Sequence, residues 1–440
     1  MTNFLGLRGT GDFPANEVMD NWRNAILRLF PNGSAPLTAI ISQIKSSKLT
    51  DGPTFHWTTK ALPTQRAAVT GVYIDSTMGT AYVYVTHQAT YGIAGATVYV
   101  KMALASLDNF LPGHIILLRD ASRSGVDVRG RVLTKKADAA NSYLAVKLLE
   151  ADDNDASAAT YNLTSVDTAL VIGSAFAEGS ERPEALVQDV VACYNHTQIF
   201  RTAVDLTRTA LQTTLRSGDP LKEARRDALE QHSIEMEKAF IWGVYTAGTD
   251  PTTGKPLRTT QGIVDFIKDH APANVLDYTT DSDYSGKSWA AGGEDWFDAS
   301  LEQLFRYGSN EKLALCGSGA LLGIQRLAKQ GSMITLTPQS PAYGLKILEW
   351  ITPFGSIYLK THPLFSYETT NRNTILIIEP KNMEYKYIQD TVLHEDTSWK
   401  EGGGSGKDAL EEDYLTEAGL EFHYPDACGI LNGVGNANAV

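Results

Sequence analysis

The chain has 440 residues, 43% of them hydrophobic and 20% charged, the composition of a folded protein of two to four domains at about 100 to 200 residues each. Its formal net charge of −13 argues against tight nucleic-acid binding, which needs clustered Lys and Arg, and it makes copies repel one another, so that association needs apolar or locally complementary surfaces. No apolar run approaches the ~18 residues of a membrane span, and the start MTNFLGLRGTGDF lacks the basic and apolar regions of a secretory signal, so synthesis and retention in a cytoplasm are expected.

Residues 1–54 carry two short amphipathic stretches, 18–30, stopped by Pro31 and Gly33, and 37–44, introduced by Ser34 and Pro36. Neither buries a core alone, which predicts an arm ordered against the rest of the fold or a neighbour. FHWTTKALPTQRAAV, up to about residue 72, reads as an extended ribbon. Six segments rich in β-branched and aromatic residues follow: TAYVYVTH, ATVYVKM, HIILLRD, DVRGRVLT, YLAVKLLE and TALVIGS. Their spacing predicts a small all-β barrel or sandwich over about 72–175, with the acid run 150–155 as a solvated turn. A second ribbon returns after Glu178, so the strand-rich unit reads as an insertion at the tip of a long excursion.

Residues 219–246 give the longest helical signal. Asp219 offers a side-chain oxygen to the first-turn amides, and Pro220 suits the first helical position. Leu221, Ala224, Ala228, His232, Met236, Ala239 and Phe240 form one stripe, Arg226–Glu230 and Glu235–Lys238 fall at pair spacings, and Gly243 and Gly248 offer stops. At ~1.5 Å per residue the span is roughly 40 Å. Beyond it, TTQGIVDFIKDH precedes a polar stretch, 277–294, predicted as an exposed loop. An alternating pattern follows, with helix at 296–307, strand at 312–316, helix at 319–329 and strand at 333–337. LKILEWITPFGSIYLKTHPLF, NTILIIEP, MEYKYIQDTVLHED and GLEFHYPDACGILNGV are strongly β, the last two separated by a Gly-rich loop.

The candidate chemical motifs are weak. Gly317, Gly319 and Gly323 lie between a strand and a helix, as in a dinucleotide fingerprint, but Leu322 replaces the third glycine and no acidic residue ends the next strand. The loop 402–407 lacks the first glycine and the Ser or Thr of a phosphate-binding loop. The nine histidines form no metal or hydrolase spacing, and His232 reads as a satisfied packing residue. Glu294, Asp295 and Asp298 read as acids at a helix start, favoured by its dipole, rather than as a carboxylate pair. Cys193, Cys316 and Cys428 form no CxxC pair and read as buried small hydrophobes. No residue is assigned as catalytic, cofactor-binding or metal-binding, and no cofactor is expected.

Taken together, VIGSAFAEGSERPEA from Val171, NHTQIFR from Asn195, TALQTTLRSGDP, HSIEMEKAFIWG, TTQGIVDFI from Thr259 and YLTEAGLEFHYPDACGILNGV from Tyr414 resemble the major capsid proteins of tailed bacteriophages with the Hong Kong 97-type fold. The resemblance covers nearly the whole chain and implies an α+β subunit. Its parts are an N-terminal arm (1–54), an extended loop (55–205) carrying the inserted β domain, a peripheral domain (206–275, spine helix 219–246), an axial domain (276–379) and a return to the peripheral domain (380–440). It implies a non-enzymatic structural protein, made in the host bacterial cytoplasm and placed in the virion, that assembles into hexamers and pentamers around packaged double-stranded DNA without sequence-specific binding. Portal and scaffolding proteins, and a decoration protein, are the further partners implied, with no membrane. Residues 1–75 and 178–205 are the expected intersubunit segments, and 277–294 is expected to face a capsomer centre. The inserted domain exceeds the family's hairpin loop, the lysine–asparagine cross-link of some members has no match at Lys60 or another lysine, and no scaffolding segment precedes the arm. A carbohydrate- or receptor-binding virion surface protein, with Tyr82, Tyr84, Tyr91 and Tyr99 stacking on sugars, is the alternative. A nucleotide-dependent α/β enzyme ranks third.

Overall fold

The computed structural model describes residues 46–48, 52–60, 65–120, 127–138, 141–152, 162–186, 189–213, 219–330, 336–338, 348–395 and 409–438. The predicted helices at 18–30 and 37–44, the Gly-rich loop 402–407 and most of the strand at 333–337 lie outside them. The chain divides into two units, Lys60–Val191 and a second made of Met1–Thr59 with Ala192–Val440.

In the unit Lys60–Val191, six strands close a barrel in the order Arg66–Tyr73, Thr97–Met102, Tyr143–Leu148, Asp127–Lys136, His114–Arg119 and Thr168–Ser174, every neighbour antiparallel. Alternation directs every second residue inward, so Val98, Val100, Ile116, Leu118, Val128, Val132, Leu144 and Val146 fill the interior. Five of the six predicted strands are present. The sixth, TAYVYVTH, instead runs into the helix Tyr84–Tyr91, and the first barrel strand comes from RAAV, which reads in sequence as ribbon. The physical reason is closure. A six-membered ring leaves no free edge for another strand, so Ala81 makes only a single bridge to Tyr73. Tyr82 turns inward, its hydroxyl donating to Asp152 Oδ2 at 2.7 Å.

In the second unit, a four-stranded sheet runs in the order Ser46–Lys48, Met383–His394, Ala409–Phe422, Gln198–Thr207. The long helix is Pro220–Trp242, with Asp219 Oδ1 accepting the Leu221 amide at 3.0 Å. Its face of Ala228, His232, Met236 and Phe240 is buried, and Met236 and Phe240 share a core with Phe200, Tyr385, Leu420, Phe422 and Ile263, Phe266 and Ile267 of the helix Ile263–His270. The helix ends at Gly243, short of the predicted 246, because two backbones cross there. The Gly262 amide donates to the Gly243 carbonyl at 2.8 Å, and a Cβ on Gly243 would collide with the Ala239 and Thr260 carbonyls. Thr246–Thr249 and Pro256–Thr259 then pair as a hairpin.

A seven-stranded mixed sheet completes this unit: Val275–Asp277, Gly429–Asn432, Ile375–Ile378, Glu311–Cys316, Gly355–Thr361, Leu348–Thr352 and Leu336–Pro338. The last part of the chain is therefore shared, with Met383–His394 and Ala409–Phe422 in the four-stranded sheet and Gly429–Asn432 here. Helices Trp289–Phe305 and Ser318–Gln330 contribute Trp296, Phe297, Leu301, Leu304, Ile324 and Leu327 to a core with Leu359, Ile375 and Ile377.

The predicted exposed loop 277–294 needs correction. Tyr278 and Trp289 are buried, Tyr278 donates to the Ser288 carbonyl at 3.0 Å, and the helix starts at Trp289 rather than 296. Gly292 and Gly293, breakers in sequence terms, lie inside the helix because the Trp289 ring lies where a Cβ on Gly293 would stand.

Candidate functional site

The groups best suited to chemistry are the buried ionisable side chains, and each is held by a structural partner. On the long helix, 3.6-residue periodicity turns His232 toward the sheet. Its Nδ1 lies 3.0 Å from Thr202 Oγ1 and its Nε2 2.7 Å from Thr416 Oγ1, on the adjacent strands Gln198–Thr207 and Ala409–Phe422. Burial, only partly opposed by the charge of Glu235, lowers its pKa and keeps the ring neutral. The sequence reading of a satisfied packing histidine agrees with this geometry.

One turn on, Glu237 faces His362, Nε2 to Oε1 at 2.7 Å, both side chains fully buried. The Leu364 amide donates to His362 Nδ1, so the proton sits on Nε2 and is donated to Glu237. The pair resembles half of a hydrolytic triad, yet its burial denies access to any substrate. Near the helix start, Arg225 forks onto Glu412 at 2.6 and 2.7 Å, which raises the guanidinium pKa. These pairs fasten helix to sheet.

Two buried hubs carry no motif in the sequence. Asn195 is fully buried; its Nδ2 donates to the Leu420 carbonyl at 2.8 Å, and its Oδ1 accepts the His196 and Gln261 amides, each at 2.8 Å. Lys312, buried at the base of the seven-stranded sheet, donates to the Ala427 and Tyr307 carbonyls at 2.7 and 3.0 Å. Burial lowers its pKa, partly opposed by Glu379 at 4.0 Å. The only sequence signal for either is a polar residue where alternation calls for an apolar one.

The glycine motif is filled by the chain itself. The Gly319 and Ala320 amides, which would cradle a phosphate, donate to the Arg372 carbonyl at 3.0 and 3.1 Å. Among the described residues Glu384, Glu421 and His423 lie close enough to share a cation. Lys386 already supplies the positive charge, at 3.1 and 3.2 Å from the two carboxylates. The four tyrosines proposed as a sugar platform are engaged in packing: Tyr82 is buried, Tyr84 and Tyr91 lie against the barrel core, and Tyr99 meets Tyr143 edge-on at 5.3 Å. Cys193, Cys316 and Cys428 are buried and free, and burial pushes the Cys316 thiol up to about 12.

Glu294, Asp295 and Asp298 are exposed and lie in the second and third turns of a helix that begins at Trp289. The dipole favours acids only in the first turn, so the sequence-based account of them fails. Partial burial and then the charges of Glu294 and Asp295 raise the Asp298 pKa. No cation pairs with the three among the described residues.

A family model described as the SU10 major capsid protein matches residues 7–435. Over 457 aligned residues the chain is 28% identical to the major capsid protein of Pseudomonas phage PaMx41, covering 99% of this chain and 97% of that one. Similar solved structures include the capsid of a native GTA particle, with 10% identity, a TM-score of 0.41 and 97% of each chain covered. Mycobacterium phage Bobi matches with 9% identity, a TM-score of 0.39, and 97% of this chain and 94% of that one.

Proposed function

The chain belongs to the SU10 major capsid protein family, and from that premise we propose how its copies build a shell. It is a major capsid protein of a phage, and its place is the virion capsid. Copies associate as hexamers and pentamers that tile an icosahedral shell around packaged double-stranded DNA. The observation that carries this reading is the extent of the family match, residues 7–435, which takes in both units and makes the barrel part of the subunit.

The subunit map is an arm (1–54), an extended loop (55–205), a peripheral domain (206–275 with 380–440) and an axial domain (276–379). Segments 1–75 and 178–205 clasp neighbours. Val191, Tyr194 and Ile199 support this, being large apolar side chains left exposed on the returning ribbon and the strand that follows it. A net charge of −13 suits a shell that encloses its genome without gripping it. A separate scaffolding protein, a portal and a decoration protein are the further partners of this reading, which requires no catalysis and no cofactor. No helix among the described residues is long and apolar enough to cross a membrane.

Negative-stain and cryo-electron microscopy of the purified protein test it. Closed shells, tubes or rings of five and six subunits are expected. A monodisperse monomer at every concentration and salt would overturn it.

A further inference from the structure

Two like-charged patches on this chain each repel themselves. On the outer face of the barrel, Arg131 of one strand lies directly opposite Lys147 of the next, and like charges so placed destabilise a sheet. Neighbouring Arg129 is neutralised by Glu150 at 3.1 Å. Arg131 and Lys147 have no carboxylate partner among the described residues, and Arg131 Nε is buried without an acceptor. Exposed Leu133 and Leu149 flank them. In the other unit, Glu294 and Asp298 stand four residues apart on one helix face with Asp295 beside them, an arrangement that also costs stability.

We propose that the Arg131–Lys147 face of the barrel docks on the Glu294–Asp298 helix face of a second copy, making the inserted domain a clamp between subunits. The inference rests on the shell-forming reading above. Two unpaired cations beside exposed leucines suit a protein contact better than a polyanion, which tracks rows of cations, and the complementary charges lie on the same chain. On a subunit of net charge −13, which repels its copies at long range, such a contact supplies local attraction and specificity.

Charge reversal with mixing tests this. One variant carries Arg131→Glu and Lys147→Glu, and another Glu294→Lys and Asp298→Lys. Each alone is expected to yield about tenfold fewer sedimenting shells than the parent protein, since like charges then face each other. A chain carrying all four changes is expected to recover the parent yield, and the equimolar mixture to rise well above either variant alone, short of the parent because a five-membered ring cannot alternate the two. Rescue by the four-change chain but not by the mixture would place the contact within one subunit and overturn the proposal. So would normal assembly by either single-face variant. Should the reversals lower the melting temperature, Arg131→Gln with Lys147→Gln replaces the first. Relief of repulsion leaves that subunit as stable as the parent or more so, and a normal shell yield from it would also overturn the proposal. Retention of short duplex DNA by the parent protein, lost in the barrel variant while assembly stays normal, would reassign the face to nucleic acid. Failure of the unmodified protein to form shells refutes the shell reading itself, and this contact with it.

Discussion

At the scale of single residues, His232 shows how burial sets chemistry. The ring bridges Thr202 and Thr416, which hydroxyls do equally well as donors or acceptors, so a neutral imidazole is fully satisfied. Its folded-state pKa is depressed, with burial the first cause. The unfolded chain therefore binds the proton more readily. Stability is fully present above the ordinary histidine value near 6.5 and falls as pH drops from there toward the folded value, by at most about 1.4 kcal/mol per pH unit. Urea unfolding of the unassembled subunit at pH 7.5 and pH 5 is expected to show this loss, and His232→Gln to lessen it. His114 and His196, also lowered by burial, act in the same direction. A pH dependence unchanged in His232→Gln would refute the assignment.

At the scale of elements, the helix Trp289–Phe305 shows packing overriding propensity. Glycine in a helix costs about 0.5–1 kcal/mol relative to alanine, so Gly293→Ala on an isolated helix would stabilise. Here the added Cβ meets the Trp289 ring at 2.5 Å, and that ring is itself part of the core. The expected result is destabilisation by about 1–3 kcal/mol, a lower melting temperature of the subunit. Gly248→Ala, in an exposed strand with nothing near the new methyl, is expected to change little. An unchanged or higher melting temperature for Gly293→Ala would show that the ring moves aside at no cost.

At the scale of the whole molecule, the barrel has its own closed hydrogen-bond ring and its own core. A fragment of residues 60–191 is therefore expected to fold alone and to melt cooperatively, measured by circular dichroism and by dispersed amide resonances. An excision at 72–175, the boundary that the strand signals suggest, would leave most of Arg66–Tyr73 behind without its partners and expose Val69. Removal of 60–191 is the cut that respects the closure. A fragment with no cooperative transition would show that the barrel depends on the remainder of the chain.

Local chemistry alone determined the long helix, with its Asp219 cap, Pro220 and buried stripe, along with five barrel strands and the β character of the last third. Each is set by residues within about a turn or a strand of one another. The resemblance carried by NHTQIFR and the stretches around it led to the family. Only the tertiary structure decided the rest. Whether TAYVYVTH pairs as a strand depends on whether the barrel still has a free edge, and whether Gly292 and Gly293 break a helix depends on a tryptophan packed against them. Whether Glu294 and Asp298 sit at a helix start depends on where Trp289 begins it. Asn195 and Lys312 each have a bond to a partner more than 60 and 110 residues away, and no window of sequence contains both ends of such a bond.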